Sequence, residues 1–254
     1  MTTRKFPRAI VVGASSGIGA AVARGLGREG ATVALVARRA DRLEAIGAEV
    51  EAAGGKCIVV EHDVTDYDSV PATFDRLVGA LGGLDLVVYA AGVMTAVDEH
   101  EYAFDKDRQM VEVNLLGAMA WLNPSVAHME AARSGVIVGV SSIAGARGRR
   151  GNPGYGASKA ALSTWLEGLR NKAHRYGVGV VTVKPGFVDT DMFRGAGLDG
   201  TPPGLGPISA DACAARILSM ARKGSVSGFV PRRWGLVAAI IAAIPSWLFR
   251  KTNV

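Results

Sequence analysis

Cysteine is nearly missing from this chain of 254 residues: Cys57 and Cys213 are the only two, far apart and without metal-type spacing. That speaks against a disulfide framework or a cysteine-built metal site, and makes a reducing, cytoplasmic setting the expectation. Charge is sparse as well. Charged residues make up 20% against 49% hydrophobic ones, and the mean hydropathy is +0.22. Such a chain is not disordered by composition and has ample material for one large core. No apolar run follows the charged start from Met1 to Arg8, so no signal peptide is expected. No internal repeat and no linker-like shift in composition marks a domain boundary. Acidic residues are outnumbered, 23 to 29, giving a net charge of +6 and a pI near 9.5. An excess of that kind suits nucleic acid, anionic lipid or an anionic cofactor. With no nucleic-acid motif and no stripe of basic and aromatic residues, nucleic acid drops out. No metal is signalled.

What is there alternates. Short β-rich apolar runs at 9–12, 32–37, 57–60, 86–89, 136–140, 178–183 and 227–230 read as strands. Between them, 20–28, 66–81, 109–131, 155–176 and 209–222 read as helices. The alternation predicts an α/β fold: a Rossmann-type, doubly wound parallel sheet of about seven strands with helices on both faces. Residues 1–231 are expected to form one dinucleotide-binding and catalytic domain, with 232–254 an apolar helical tail.

The first strand runs into Gly13-Ala14-Ser15-Ser16-Gly17-Ile18-Gly19 and then a helix. Strand, glycine turn and helix start together hold a pyrophosphate. Glycines let the backbone approach the phosphates, and the helix end supplies free N–H groups and partial positive charge. After the second strand come Arg38 and Arg39, with no acid at the strand end. An acid there would bind the ribose 2′-hydroxyl of NAD, whereas arginine accommodates the 2′-phosphate of NADP. The alternative for both arginines is a solvated helix start. Asp63, followed by Val64, either accepts from an adenine amino group or caps the next helix. The fourth strand ends in Ala90-Ala91-Gly92, and Asn114 is a polar amide inside an apolar helical stretch, where it either serves a site or caps a helix irregularity. Ser141 and Ser142 stand at the C-terminal end of the fifth strand, where ligands sit in open parallel sheets.

Tyr155 and Lys159 are four residues apart and so share one helix face. An ammonium beside a phenol stabilises the phenolate and lowers the tyrosine pKa, as a general acid/base near neutral pH requires. Beyond the sixth strand come Pro185-Gly186-Phe187-Val188-Asp189-Thr190, and the stretch from Phe187 to Pro207 is rich in Gly, Pro and Asp, with Met192, Phe193 and Leu198 interspersed. Its length without pattern predicts a lid.

In combination these motifs resemble the short-chain dehydrogenase/reductase family in its simple single-domain form, over about residues 8–230. The motifs are Gly13-x-x-x-Gly17-x-Gly19, Ala90-Ala91-Gly92, Asn114, Ser142, Tyr155-x-x-x-Lys159, and Pro185-Gly186 with Thr190. Val12 and Ala90 depart from the family's usual Thr and Asn, residues that brace the sheet and turn. The resemblance implies that Tyr155 exchanges a proton with a carbonyl or alcohol oxygen, while Ser142 hydrogen-bonds that oxygen. It implies that Lys159 tunes Tyr155 and holds the nicotinamide ribose, and that Asn114 holds a water linking Lys159 to solvent. Gly186, Val188 and Thr190 would cover the nicotinamide amide. The expected activity is NADP(H)-dependent interconversion of a carbonyl and a secondary alcohol, with NADP(H) preferred over NAD(H) and a homo-dimer or homo-tetramer expected. The alternatives are a dinucleotide-sensing protein without turnover, or an epimerase or dehydratase built on the same site.

Met192 and Phe193 suggest a hydrophobic substrate; Arg147, Arg149 and Arg150 meet either an anionic head group or solvent. Residues 234–249 carry no charge and are flanked by Arg232-Arg233 and Arg250-Lys251. They predict a helix, kinked or ended by Pro245 and too short to span a bilayer. It would lie on a membrane surface, on its own domain or on a second subunit.

Overall fold

In each central strand, alternate residues face opposite sides of the sheet, and here both sets are apolar. Ala9 and Val11 enter one core cluster, while Ile10 and Val12 enter the other. A strand buried on both faces belongs in the middle of a parallel sheet. The computed structural model describes residues 4–195 and 205–252. It contains β1 (Arg8–Val12), β2 (Thr32–Ala37), β3 (Lys56–Glu61), β4 (Leu86–Tyr89), β5 (Gly135–Val140), β6 (Val178–Pro185), β7 (Val188–Asp189), β8 (Ile208–Ser209) and β9 (Ser227–Val230). Seven of these form one parallel sheet in the order β3-β2-β1-β4-β5-β6-β9, and β7 pairs with β8 apart from it.

Helices α1 (Gly17–Gly27), α2 (Ala40–Ala52) and α8 (Ala210–Arg222) cover one face of the sheet. The other face is covered by α3 (Val70–Leu81), α5 (Gly117–Ala131) and α6 (Pro153–Ala173). Strand order reverses between β1 and β4, so the crevice at the C-terminal ends of these strands is where a doubly wound sheet takes its ligand.

Three elements differ from the sequence reading, while the tail breaks at Pro245 as expected. Helix α3 begins at Val70, not at 66, because Ser69 stands at its N-cap and Pro71 in its first turn fixes the start. The expected continuous helix at 109–131 begins earlier as α4 (Phe104–Val111) and is interrupted by a π-helical turn at Glu112–Leu116 before α5. The stretch after β6 is not patternless where it is described: β7 pairs with β8, and α7 (Asp191–Gly195) follows β7. Leu198 and the middle of the expected lid lie outside the described residues. The tail is two helices, α9 (Arg233–Ala243) and α10 (Ser246–Phe249), separated at Ile244 and Pro245. Pro245 has no backbone N–H to continue α9, and it starts α10 instead.

The inner side of α9 packs on the rest of the chain. Trp234 and Ala238 are buried against Ile143, Phe187 and Phe229. The Trp234 indole meets Phe187 edge-on, with 5.0 Å between ring centroids. It also occupies the space beside Gly186, where any Cβ would collide with it. Arg147 ties down the end of α9 by donating to the carbonyls of Ile241 and Ile244, and its guanidinium lies 4.1 Å from the centroid of the Phe249 ring. Leu236, Ile240, Trp247 and Leu248 stay exposed. Among the described residues, no helix is long and apolar enough to cross a membrane.

Candidate active site

The crevice starts at the glycine turn. Gly13 has φ +87°, a left-handed conformation that suits glycine, and a Cβ there would collide with the backbone of Ala91. Gly19 lies beneath the turn, where a Cβ would run into the Gly13 carbonyl. Ser16, at the N-cap of α1, makes no capping bond with its side chain. The first-turn N–H groups of α1 therefore stay available, at the positive end of an eleven-residue helix. The cleft above is lined by Gly13, Ser15, Ser16, Gly17 and Ile18, and across from them by Ala91, Gly92 and Thr190.

Arg38 and Arg39 both line this cleft, in different ways. The Arg39 guanidinium donates to the hydroxyls of Ser15 (2.9 Å) and Ser16 (2.8 Å), which fixes it at the mouth of the glycine turn. Burial, and then the nearby charge of Arg42, lower its proton affinity from the ordinary arginine value. Arg38 is more exposed and leans toward Asp63, 3.6 Å away. Asp63 accepts from the backbone and hydroxyl of Thr65, so it holds a turn and does not cap α3, which begins seven residues later. Its neighbours His62 and Val64 line the cleft. No acidic residue does, among those described.

A second cavity of about 580 Å³ adjoins the first and shares Ile18, Ala90, Gly92, Thr190 and Met192 with it. Ser142, Tyr155 and Lys159 line it together, with Pro185, Gly186 and Val188 on another side. Three local contacts bring these side chains to one place. Asn152 caps α6, its Oδ1 accepting from Tyr155 N at 3.0 Å, while its Nδ2 donates to Thr95 O at 2.8 Å. The Ser141 hydroxyl donates to Lys159 O at 2.8 Å and so binds the end of β5 to α6. Ser142 Oγ accepts from Ala144 N at 3.1 Å, which leaves its own O–H free to donate into the cavity.

Tyr155 is half-buried, and loss of water around the phenol holds it above the ordinary tyrosine value, with the Ser142 hydroxyl pulling the other way. The depression by Lys159 expected from the i,i+4 spacing is not what this geometry produces. Lys159 Nζ donates to Val140 O at 3.1 Å and lies 5.9 Å from the centre of the tyrosine ring, so loss of water dominates at the phenol. The same burial lowers Lys159 itself from 10.5 to about 8.

Asn114 does not line either cavity. It is fully buried on the π-helical turn, where Oδ1 accepts from Val93 N (2.8 Å) and Nδ2 donates to Val93 O and to Ser158 Oγ, both at 3.0 Å. Ser158 in turn donates to Tyr155 O at 2.8 Å. Asn114 thus joins the strand end after Gly92 to the helix carrying Tyr155. Tyr89 supplies a further brace: its buried hydroxyl donates to Val113 O at 2.6 Å, on the same π-helical turn. Sequence reasoning passed over Tyr89, Asn152 and His62. Asn152-Pro153 at a helix start was a legible cap signal; the Tyr89 hydroxyl reaches Val113, 24 residues on, and leaves no local pattern.

A family model described as short chain dehydrogenase matches residues 7–199. An uncharacterized oxidoreductase of Myxococcus xanthus is 39% identical over 192 residues, 76% of each chain. The cis-4-hydroxycyclohexanecarboxylate dehydrogenase of Sinomonas cyclohexanicum is 36% identical over 192 residues, 75% of this chain and 77% of that one. Among solved structures, an alcohol dehydrogenase from Thermococcus sibiricus complexed with 5-hydroxy-NADP is similar at a TM-score of 0.75 and 29% identity. It covers 84% of this chain and 89% of its own. With the family model spanning the glycine turn and the Tyr155 helix, and relatives alike over three quarters of the chain, the chain belongs to the short-chain dehydrogenase/reductase family of oxidoreductases.

Proposed function

We propose that the protein is an NADP(H)-dependent reductase that interconverts a carbonyl and a secondary alcohol on a substrate with an apolar body. The observation that carries this reading is the joint lining of one cavity by Ser142, Tyr155 and Lys159, open to a cleft with Arg39 at its mouth. The cleft fits a dinucleotide phosphate: free helix N–H groups, an arginine held by two serines and, among the described residues, no acid in its lining. When bound, the nicotinamide supplies or accepts the hydride. The chain's own groups manage the proton and the oxygen. Tyr155 gives its phenolic proton to the carbonyl oxygen, or takes one from the alcohol. Ser142 donates to that oxygen as negative charge develops on it. Lys159, still largely protonated at neutral pH, keeps donors beyond the one spent on Val140 for the ribose. Asn114 positions the Gly92 turn and α6, and Thr190 with Gly186 and Val188 closes the nicotinamide side.

Met94, Val97, Ile143, Phe187 and Phe193 in the cavity wall favour a hydrophobic substrate body. Tyr155→Phe is expected to abolish turnover of a carbonyl panel with NADPH while leaving NADPH affinity nearly unchanged. A variant that kept more than a few per cent of the rate would remove Tyr155 from the role assigned.

The outer face of the tail supports an anionic membrane surface as a partner. Leu236, Ile240 and Trp247 are 69, 56 and 62% exposed and are bracketed by Arg232, Arg233, Arg250 and Lys251. Because Trp234 is packed against Gly186, the clean perturbation is substitution of the outer residues and not truncation. The triple change to Ser at Leu236, Ile240 and Trp247 should release the protein from anionic vesicles with its activity intact. If wild type ignores the vesicles but changes from dimer to monomer on substitution, a second subunit is the partner.

A further inference from the structure

Three arginines stand within four residues on the loop that leads to Tyr155, and their surroundings differ sharply. Arg147 spends its guanidinium on tail carbonyls and the Phe249 ring. Arg150 has Glu99 at 3.5 Å and the carbonyl of Thr252 at 3.4 Å. Arg149 lines the 580 Å³ cavity, is half-buried, and has no carboxylate within 4 Å among the described residues. Its Nε is closed off from solvent and meets no acceptor. Burial alone lowers its proton affinity, with no neighbouring charge set against it. Arginine does not give up its proton in a protein, so the positive charge stays, uncompensated among the described residues.

The rest of the cavity is arranged to the same effect. Among the described residues its lining contains Arg149, Arg150 and Lys159, and no aspartate or glutamate. A cavity lined by one sign of charge with apolar walls concentrates its field on a ligand of the opposite sign. We infer that Arg149 is a specificity-determining residue that binds a carboxylate on the substrate, so that the protein acts on oxo acids and hydroxy acids with an apolar chain or ring between the two ends. The inference rests on the proposed function for the carbonyl end, which Ser142 and Tyr155 hold. One unpaired guanidinium matches the single charge of a carboxylate. A phosphate dianion would need a second free cation, and Arg150 is already paired.

The test is calorimetric, on the NADPH-loaded enzyme, with saturated carboxylates of six to ten carbons and their primary amides as probes. The amide keeps the shape and removes the charge. Wild type is expected to bind the best carboxylate at least tenfold more tightly than its amide, because a hydrogen bond to a charged group contributes about 1.5–3 kcal/mol. Arg149→Gln should bring the carboxylate down to the level of the amide, leaving amide binding and NADPH affinity as they were. Arg149→Lys should keep part of the preference. Equal binding of acid and amide by wild type overturns the inference, as does an equal loss on both probes in Arg149→Gln. Loss of the preference in Arg150→Gln but not in Arg149→Gln assigns it to the wrong arginine. Octyl phosphate binding more tightly than octanoate replaces the carboxylate by a phosphate and also overturns it. A parallel turnover assay with (ω−1)-oxo acids and their amides keeps the two readings apart. Absence of any reduction by NADPH removes the proposed function, while the calorimetry still judges Arg149.

Discussion

Lys159 is the group whose service to the site should be most visible in the stability of the protein. It is 4% exposed, donates to Val140 O, and holds its proton only up to about pH 8, against 10.5 for an ordinary lysine. The folded protein therefore binds this proton more weakly than the unfolded chain does. Between about pH 8 and 10.5 the unfolded chain carries more protons, so stability rises with pH across that window. Below pH 8 both states are protonated and the full penalty for burying the ammonium is present, about 3 kcal/mol from the size of the difference. Lys159→Met removes the titration while filling similar space. Urea unfolding of both proteins from pH 7 to 10 is expected to find the variant more stable at pH 7 by up to about 3 kcal/mol. That advantage should shrink to below about 1 kcal/mol at pH 10. The change in the gap is the decisive quantity, because packing and the lost bond to Val140 contribute equally at every pH. A gap that does not move with pH would refute the reasoning. The same variant should have lost its carbonyl reduction, so a gain in stability and a loss of activity come from one side chain.

Two further expectations concern the cleft. Arg39→Ala should weaken NADPH about tenfold or more and NADH little, since a charge-assisted contact to a phosphate contributes about 1.5–3 kcal/mol. Arg38→Ala should do less, because that side chain is exposed and leans on Asp63; binding titrations showing equal effects on both cofactors would reject the assignment. Gly13→Ala combines a left-handed residue with a collision against the Ala91 backbone. Chemical denaturation should therefore reveal a loss of at least about 2 kcal/mol, the left-handed conformation alone accounting for about half; a loss within about 0.5 kcal/mol would mean that the turn relaxes easily.

The sheet was legible because its strands are local patterns. Ile10-Val11-Val12 and Leu86-Val87-Val88 announce buried strands by composition alone, and the glycine turn follows directly in the chain. Much of the site was legible for the same reason, since Tyr155 and Lys159 share one helix turn. What escaped depends on residues far away in sequence. The π-helical turn follows from Asn114 reaching Val93 and Ser158, 21 and 44 residues distant. Arg38 and Arg39 look equivalent in a sequence, and only the fold turns Arg39 onto Ser15. The pKa of Tyr155 was read from a neighbour four residues away, although enclosure by the surrounding chain outweighs that neighbour. Likewise, no local pattern separates Arg149 from Arg147, whose partners are tail carbonyls 94 or more residues further on.

The match to the family model ends at residue 199, yet the wall behind Gly186 and Phe187 is built from Trp234. The loop before Tyr155 is likewise anchored through Arg147 to α9. The described residues that line the cavity all lie between Ile18 and Phe193, and the tail backs them from outside. A lineage can change the tail around Trp234 and press on Gly186 and Phe187 from behind without touching Ser142, Tyr155 or Lys159. Grafting another relative's tail onto residues 1–231, with Trp234 and the Arg147 contacts kept, would then be a route to new substrates on an unchanged reaction.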